Sequence, residues 1–435
     1  MFKNFLRDSV GFTFANILIK ALNLILIPIY VRLLSFEEYG IFELITTLTI
    51  IFVVVISLEV TQSILRFVAD SSTNKNLQDK YIETGLSVIF ISSCAFIPLV
   101  YFFSPIISQV LFKDYKYSEI IEITSWIICL QSLNYAISVV FRSEKKFYFA
   151  IRHSVLVAIF SGSFSLSLLF FSSGSLRALL IGQAIGAVIA ASIGLFLLRD
   201  KFSFSPDYRV AKKMLMFSIP LVFSGVALHL SSFADRIIIN ELLSLEALAV
   251  YGIAAKAASI ITILISGVQG ALSPHFISTW NTSLGLQSLT RIFFIYLMIS
   301  ILLLLSLNFI GEYIIIFLGT SAAIGGMEVL LILASSSIIN GLNIFLFGLI
   351  KALKTSVLSM IYLFTAVLNI YLNYSLIKDF GIEGAAFATL ISASIGFLIH
   401  YHLSSKHIKL PFSFLIPSLF IISIISFNIL MLYFR

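Results

Sequence analysis

Long apolar stretches alternate with short polar segments along the whole chain. A helix needs only about 20 apolar residues to cross a hydrocarbon core about 30 Å thick. Windows of about 19 residues therefore predict twelve membrane spans followed by a thirteenth hydrophobic segment. The predicted ranges are 11–34, 41–69, 82–110, 118–141, 147–171, 176–198, 214–240, 247–272, 289–318, 327–350, 357–378, 383–403 and 413–433.

The composition excludes a water-soluble fold. Apolar residues make up 59% of the 435 residues and charged residues 11%, whereas soluble domains carry roughly 45–50% and about 25%. The chain has no nucleotide-binding loop or catalytic motif, and its two cysteines form no metal-binding cluster. We therefore expect an all-α polytopic membrane protein that is not an enzyme and has no cofactor or bound metal.

The distribution of basic residues predicts the orientation of the chain. With the N-terminus in the cytoplasm, nineteen of the 28 lysines and arginines fall on the inner face and six on the outer face. Such a bias is typical of cytoplasmic loops. Membrane topology thus accounts for the net charge of +7, and no nucleic-acid partner is expected.

The two halves of the sequence align as an internal repeat of roughly 210 residues. Three anchors match: 33–41 with 242–253, 141–145 with 350–354, and Gly174 with Gly381. Six spans per half is an even number, so both halves enter the membrane from the same side, as in parallel-repeat transporters. We predict an N-lobe at 1–198, a cytoplasmic linker at 199–213, a C-lobe at 214–405 and an extra C-terminal segment at 406–435.

Several polar residues fall at membrane depth, where a charge usually faces a cavity. Lys20 lies about ten residues into the first span, or roughly 15 Å. Asn16, Lys20 and Asn23 are spaced to share one helical face. The repeat places His229 of the seventh span opposite Lys20, so each lobe is expected to present a polar face.

Further charges extend this predicted site. Lys256 lies inside the eighth span, and Glu59 and Arg66 lie seven residues apart in the second. We predict that spans one, two, seven and eight line a wet cavity with excess positive charge, suited to a diphosphate. Local pairing, of Asp235 with Arg236 or of Glu59 with Arg66, is the competing interpretation. Five asparagines are expected to bond between helices: Asn134, Asn340, Asn343, Asn369 and Asn373.

Characteristic stretches recur in both lobes: 30–40 and the basic loop 142–146 in the first, and 217–221, Asp235-Arg236 and 251–256 in the second. These stretches resemble the polysaccharide transporters of the multidrug/oligosaccharidyl-lipid/polysaccharide exporter (MOP) superfamily. The resemblance implies twelve core helices that alternate between inward- and outward-open forms. It also implies that the protein flips undecaprenyl-diphosphate-linked sugar units, of O-antigen or capsule type, to the periplasmic leaflet of a bacterial inner membrane. The cationic role would fall on Lys20, Arg236 and Lys256, with Arg66 in addition.

Two other functions remain open from the sequence. A drug or ion antiporter of the same superfamily would need a titrating carboxylate, for which Glu59 is the candidate. A membrane-embedded polymerase or ligase would need a sizeable outer loop, and the predicted outer loops are short. The expected partners are the lipid-linked oligosaccharide, the lipid bilayer and other polysaccharide-assembly membrane proteins.

Overall fold

The computed structural model describes residues 2–434 apart from 72, 173, 202–205, 280–282, 347–354, 408–409 and 411. Within the helices, the side chains of 2–16, 231–232, 263–264, 266–279, 283–286, 355–356 and 433–434 also lie outside the description. Over the described ranges the fold is helical, with no β-strand. The helices are α1 (Phe2–Leu33), α2 (Phe36–Ser57), α3 (Val60–Asp70), α4 (Lys75–Phe112), α5 (Ser118–Ser143), α6 (Phe147–Phe171), α7 (Leu176–Leu197), α8 (Tyr208–Leu242), α9 (Leu245–Thr279), α10 (Ser283–Leu318), α11 (Met327–Leu342), α12 (Thr355–Ser405) and α13 (Leu415–Phe434).

Eleven helical segments of the described residues are long and apolar enough to cross a membrane. The prediction of an all-α polytopic membrane protein is confirmed. One of these segments needs division, because the 51 residues of α12 would span about 77 Å as one helix. Gly381 has non-helical φ/ψ angles of 58° and −139° and separates 355–380 from 382–405. These halves correspond to the predicted spans 357–378 and 383–403.

The second predicted span, 41–69, is wrong as a continuous helix. Leu58 and Glu59 both adopt left-handed backbone angles, with φ of 48° and 49°, and separate α2 from α3. A hydropathy window averages over such a break, because the side chains on both sides remain apolar.

Contacts divide the chain into two compact units, Met1–Leu230 and Ser231–Arg435. We refer to them as the first and second units. The division falls inside α8, so residues 208–230 of this helix belong to the first unit. The predicted lobe and linker boundaries stay a prediction.

The core of the first unit includes the beginning of α8. Met214 is fully buried in an apolar cluster with Ile64 of α3 and Leu86 of α4. The hydroxyl of Ser63 donates a hydrogen bond of 2.9 Å to the Met214 carbonyl. These contacts fix the first half of α8 against α3 and α4.

Small residues bring α6 and α7 into close contact. A Cβ atom at Gly182 would lie 2.5 Å from the Phe164 carbonyl oxygen, and one at Gly186 would lie 2.3 Å from the backbone nitrogen of Ser161. The Ser165 hydroxyl donates a 3.0 Å hydrogen bond to the Leu179 carbonyl. Close backbone approach at glycines spaced by four residues is a common mode of helix packing in membranes.

Polar contacts stabilise the first turn of α8. The backbone N–H groups of Val210 and Arg209 donate to the Asp207 carboxylate. These bonds hold the pKa of Asp207 below its usual value, because they stabilise the ionised form. Lys80 lies 3.6 Å from the same carboxylate. Asp207 therefore caps α8 and links it to the beginning of α4.

Aromatic rings and one buried amide organise the second unit. Phe293 and Phe412 stack with ring centroids 3.8 Å apart, and the Tyr401 hydroxyl donates to the Phe412 carbonyl at 2.8 Å. Asn428 on α13 is 1% exposed, and its side-chain amide donates to the Ser335 hydroxyl at 2.9 Å. The predicted C-terminal segment is thus a helix packed into the second unit.

Two anchors of the internal repeat have matching local structures. Ser35 and Ser244 each accept a 3.1 Å hydrogen bond from a backbone N–H three residues later, so both cap the following helix. Gly174 and Gly381 both have positive φ, 90° and 58°, which a glycine adopts without a Cβ clash. The third anchor, 350–354, lies outside the described residues.

Candidate functional site

The helix break between α2 and α3 places the Glu59 carboxylate inside the predicted second span. A non-glycine residue in the left-handed region costs roughly 1–2 kcal/mol, and here Leu58 and Glu59 adopt it in succession. The Gln62 side chain contacts the Glu59 carboxylate. Backbone strain of this kind is concentrated at functional sites, which makes the surroundings of Glu59 a candidate site.

Glu59 opens onto a cleft of about 520 Å³ in the first unit. The cleft is formed by α3 and the first half of α8, and its lining consists of Glu59, Gln62, Leu65, Arg66, Phe217 and Leu221. Gly225 of α8 lies beside the carboxylate: a Cβ atom there would be 3.1 Å from Glu59 Oε1. The absence of a side chain at Gly225 therefore leaves room for the Glu59 carboxylate.

Arg66 is oriented by contacts other than a bond to Glu59. Its guanidinium carbon lies 4.4 Å from the ring centroid of Phe217, within the range of a cation–π interaction. Its Nε atom is 3.7 Å from the Asp70 carboxylate. The predicted pairing of Glu59 with Arg66 is wrong, because the guanidinium lies against the Phe217 ring and beside the Asp70 carboxylate instead. The structure nevertheless brings both residues into one cleft.

A second charged cluster lies in the second unit. The side chains of Asp235 and Arg236 are 10% and 13% exposed, and Arg236 Nη1 lies 3.3 Å from Asp235 Oδ1. The buried Tyr251 hydroxyl also donates to the Asp235 carboxylate. The predicted local pair of Asp235 and Arg236 is confirmed. The charge of Arg236 is therefore compensated within its own helix, and its substrate role stays a prediction.

The remaining candidates lie in different surroundings. Lys20 and Asn23 of α1 are exposed, and the side chain of Asn16 lies outside the described residues. His229 is partly buried one turn beyond Gly225 on α8, and Lys256 of α9 is partly exposed. Lys20 and His229 belong to the first unit, and Lys256 to the second. A shared substrate site for these residues stays a prediction.

The sequence contains a signal for the α8 side of the cleft. Phe217, Leu221 and Gly225 are spaced by four residues, and this spacing places them on neighbouring turns of one helical face.

The expectation that asparagines bond between helices holds for three of the five. Asn134 donates to Ala187 of α7, Asn343 contacts His400 of α12, and Asn369 reaches Thr389 across the break at Gly381.

A model of the polysaccharide biosynthesis protein family matches residues 5–280, which is more than half of the chain. The chain belongs to this family. No curated protein matches the sequence. The resemblance to polysaccharide transporters, predicted from 30–40 and from the start of the second lobe, is thereby confirmed.

Solved structures of MOP-superfamily transporters share the fold. An inward-facing multidrug-resistance transporter of the MATE family is 13% identical, with a TM-score of 0.72, and the match covers 88% of this chain and 94% of that one. The lipid II flippase MurJ, in an inward closed conformation, is 17% identical with a TM-score of 0.68, covering 98% and 99%. A MOP-superfamily transporter from Pyrococcus furiosus, described as having a binding pocket of reverse polarity, is 12% identical with a TM-score of 0.57, covering 92% and 96%. This chain is thus a multi-pass membrane protein of the polysaccharide biosynthesis family with a MOP-type transporter fold.

Proposed function

We propose that the protein flips undecaprenyl-diphosphate-linked oligosaccharide units, of O-antigen or capsule type, from the cytoplasmic to the periplasmic leaflet by alternating access. The observation that carries this proposal is a MOP transporter fold in a chain of the polysaccharide biosynthesis family. A polysaccharide assembled on a membrane lipid carries a polar head that cannot cross the hydrocarbon core unaided. A transporter in such a family would supply that crossing.

The cations at membrane depth support an anionic substrate. Lys20 is exposed on α1, Lys256 is partly exposed on α9, and Arg66 lies in a cleft large enough to admit a polar group. Guanidinium and ammonium groups bind phosphate oxygens through charge-assisted hydrogen bonds. These residues, with Arg236, His229, Asn16 and Asn23, form the proposed substrate path.

We also propose that the protein lies in a bacterial inner membrane with its N-terminus on the cytoplasmic side. Labelling with a reagent added outside the cell would test this orientation. Cys94 and Cys129 are both free, so each is first replaced by alanine. In that background, Asp200→Cys should be protected from an impermeant maleimide, because residue 200 is predicted to lie on the cytoplasmic side. Glu246→Cys, on the predicted periplasmic side, should react. Both positions are exposed. Labelling of residue 200 in intact cells, with residue 246 protected, would reverse the orientation.

The decisive experiment asks what accumulates when the gene is deleted. Synthesis of the lipid-linked unit continues on the cytoplasmic leaflet, so single units should accumulate there. They should be inaccessible to an impermeant glycan-modifying probe applied to spheroplasts. Restoring the gene should return the units to the outer leaflet as the control.

Each competing function predicts a different pool in the deletion strain. Loss of a polymerase would also leave single units, but on the outer leaflet, where the probe reaches them. Probe labelling at normal levels in the deletion strain would therefore disprove the flippase. Loss of a drug antiporter, the alternative favoured by the similarity to a multidrug transporter, would leave both pools unchanged and raise sensitivity to cationic drugs.

A further inference from the structure

We propose that the rim of the first unit formed by the start of α6 and the end of α7 binds the headgroup of an anionic phospholipid. Two arginine–aromatic pairs make up this headgroup site: Arg152 with Tyr148 on α6, and Phe196 near the end of α7 with Arg199 just beyond it. The four residues do not belong to the lining of the cleft between α3 and α8. A lipid bound here would be a constituent of the membrane and not the transported substrate.

Each arginine of the headgroup site lies against an exposed aromatic ring. The guanidinium carbon of Arg152 is 5.4 Å from the ring centroid of Tyr148, and that of Arg199 is 4.9 Å from the ring centroid of Phe196. Both distances are within the range of a cation–π interaction. The two aromatic residues are 66% and 64% exposed. Each pair therefore presents an apolar surface and a positive charge side by side.

Close packing of α6 against α7 brings the two pairs to the same end of these helices. A Cβ atom at Gly194 would lie 2.7 Å from the His153 ring, whereas one at Gly182, earlier on α7, would meet Phe164, later on α6. The helices are thus antiparallel, and the end of α7 lies beside the first turns of α6. Both arginine–aromatic pairs therefore lie at the end where α6 begins.

The Arg152 side chain carries its charge back towards the start of α6. A candidate membrane span begins at Phe147, so Arg152 lies about 7.5 Å along it. Arg152 is exposed, and its guanidinium contacts Tyr148, which is one turn nearer the start of the helix. Long cationic side chains near helix ends extend in this way to reach the polar interface of the membrane. We therefore place the guanidinium at the level of lipid phosphates rather than of acyl chains.

The charge around the start of α6 is positive and only partly compensated. The segment 142–152 contains one acidic residue, Glu144, and four basic residues, Arg142, Lys145, Lys146 and Arg152. The Glu144 carboxylate is already engaged by Lys146 at 3.0 Å and by Lys201. No ion pair of the described residues includes Arg152. Its charge is therefore available to an anionic ligand.

Arg199 makes a weak ionic contact. Its Nε atom is 3.9 Å from the Asp200 carboxylate, and the two side chains are 65% and 92% exposed. An ion pair so open to solvent contributes little free energy. A lipid phosphate can therefore compete for this guanidinium through charge-assisted hydrogen bonds.

The combination of charge and exposed ring favours a phospholipid over a soluble acidic partner. A phosphatidylglycerol molecule offers its phosphate to a guanidinium and, directly beside it, apolar acyl chains to Tyr148 and Phe196, as at other aromatic residues of membrane interfaces. One basic residue near an anionic membrane surface corresponds to roughly fivefold in affinity. The two arginines together would then correspond to about 25-fold.

The test measures binding of the first phosphatidylglycerol molecule to the full, delipidated chain in detergent by native mass spectrometry, with phosphatidylcholine of the same acyl chains for comparison. The wild type should prefer phosphatidylglycerol, and more salt should reduce the preference through screening. Arg152→Gln combined with Arg199→Gln should lower the affinity for phosphatidylglycerol by about 25-fold and leave that for phosphatidylcholine unchanged. Arg152→Lys should retain most of the affinity, and Tyr148→Leu should lose roughly two- to fivefold.

Arg209→Gln is the matched control, because Arg209 is an exposed arginine at the second residue of α8, also on the predicted cytoplasmic side. It should bind phosphatidylglycerol as the wild type does. Equal binding of the two lipids by the wild type, which requires no variant to fold, would overturn the proposal, as would an equal loss of affinity in Arg209→Gln. Unchanged affinity in the double variant would also overturn it and leave an acidic protein as the occupant of this surface. None of these outcomes bears on the proposed flippase.

Discussion

Replacing Lys20 or Lys256 with alanine should abolish export of the lipid-linked glycan while the protein remains in the membrane. Each ammonium is predicted to lie at membrane depth, and a charge-assisted hydrogen bond from it to phosphate would be worth roughly 1.5–3 kcal/mol. The loss of one such contact corresponds to a decrease of about tenfold or more in transport. Surface glycan, measured on cells with equal amounts of each variant, is the readout.

Two further variants separate charge from general damage to the helix. Lys20→Arg keeps the positive charge and should retain more export than Lys20→Ala. Lys75→Ala removes an exposed lysine at the first residue of α4 and should leave export unchanged. Normal surface glycan in both Lys20→Ala and Lys256→Ala would refute the cationic path.

Gly186→Leu should prevent stable folding of the first unit. A Cβ atom at this position would lie 2.3 Å from the Ser161 nitrogen, so α6 and α7 must separate along their contact. Overpacking a core costs about 1–3 kcal/mol when side chains can adjust, and here the obstacle is backbone. We expect a fall in the detergent-solubilised monodisperse fraction and in its thermal midpoint, measured by fluorescence-detected size-exclusion chromatography after heating.

Gly325→Leu provides the matched control for this glycine substitution. A Cβ atom at Gly325 meets no atom within 4 Å, so the same change of residue should be tolerated. If Gly186→Leu matched Gly325→Leu in yield and thermal midpoint, the close contact of α6 with α7 would not contribute to stability.

The sequence predicted those features of the fold that depend on periodicity and local chemistry. Apolar runs indicated where helices lie, and the repeat anchors 33–41 and 242–253 contain Ser35 and Ser244, each of which caps a helix in the structure. Gly381 interrupts what would otherwise be a continuous 51-residue helix, and it falls between the predicted spans 357–378 and 383–403. Each of these signals acts within a few residues of chain, so no tertiary information was required.

The features that sequence reasoning missed depend on contacts between distant segments. Nothing in the run around Leu58 and Glu59 indicates a helix break, because neither residue is a glycine or proline. Arg66 is directed by Phe217, about 150 residues away in the chain. The choice of Asp70 over Glu59 as the partner of Arg66 likewise depends on that packing. Seven-residue spacing correctly placed Glu59 and Arg66 together but could not predict which contacts each would make.

The burial of Met214 has a consequence for the order in which the chain is assembled during synthesis. The first unit closes its core with a residue from α8, the helix that begins within the predicted linker. A nascent chain that has inserted only α1 to α7 therefore exposes the apolar surface of Ile64 and Leu86 that Met214 later covers, and Ser63 has not yet met its carbonyl acceptor. The ribosome must deliver the first turns of α8 before the preceding seven helices reach their final packing, so the linker is not a natural point at which to divide the protein into independent halves.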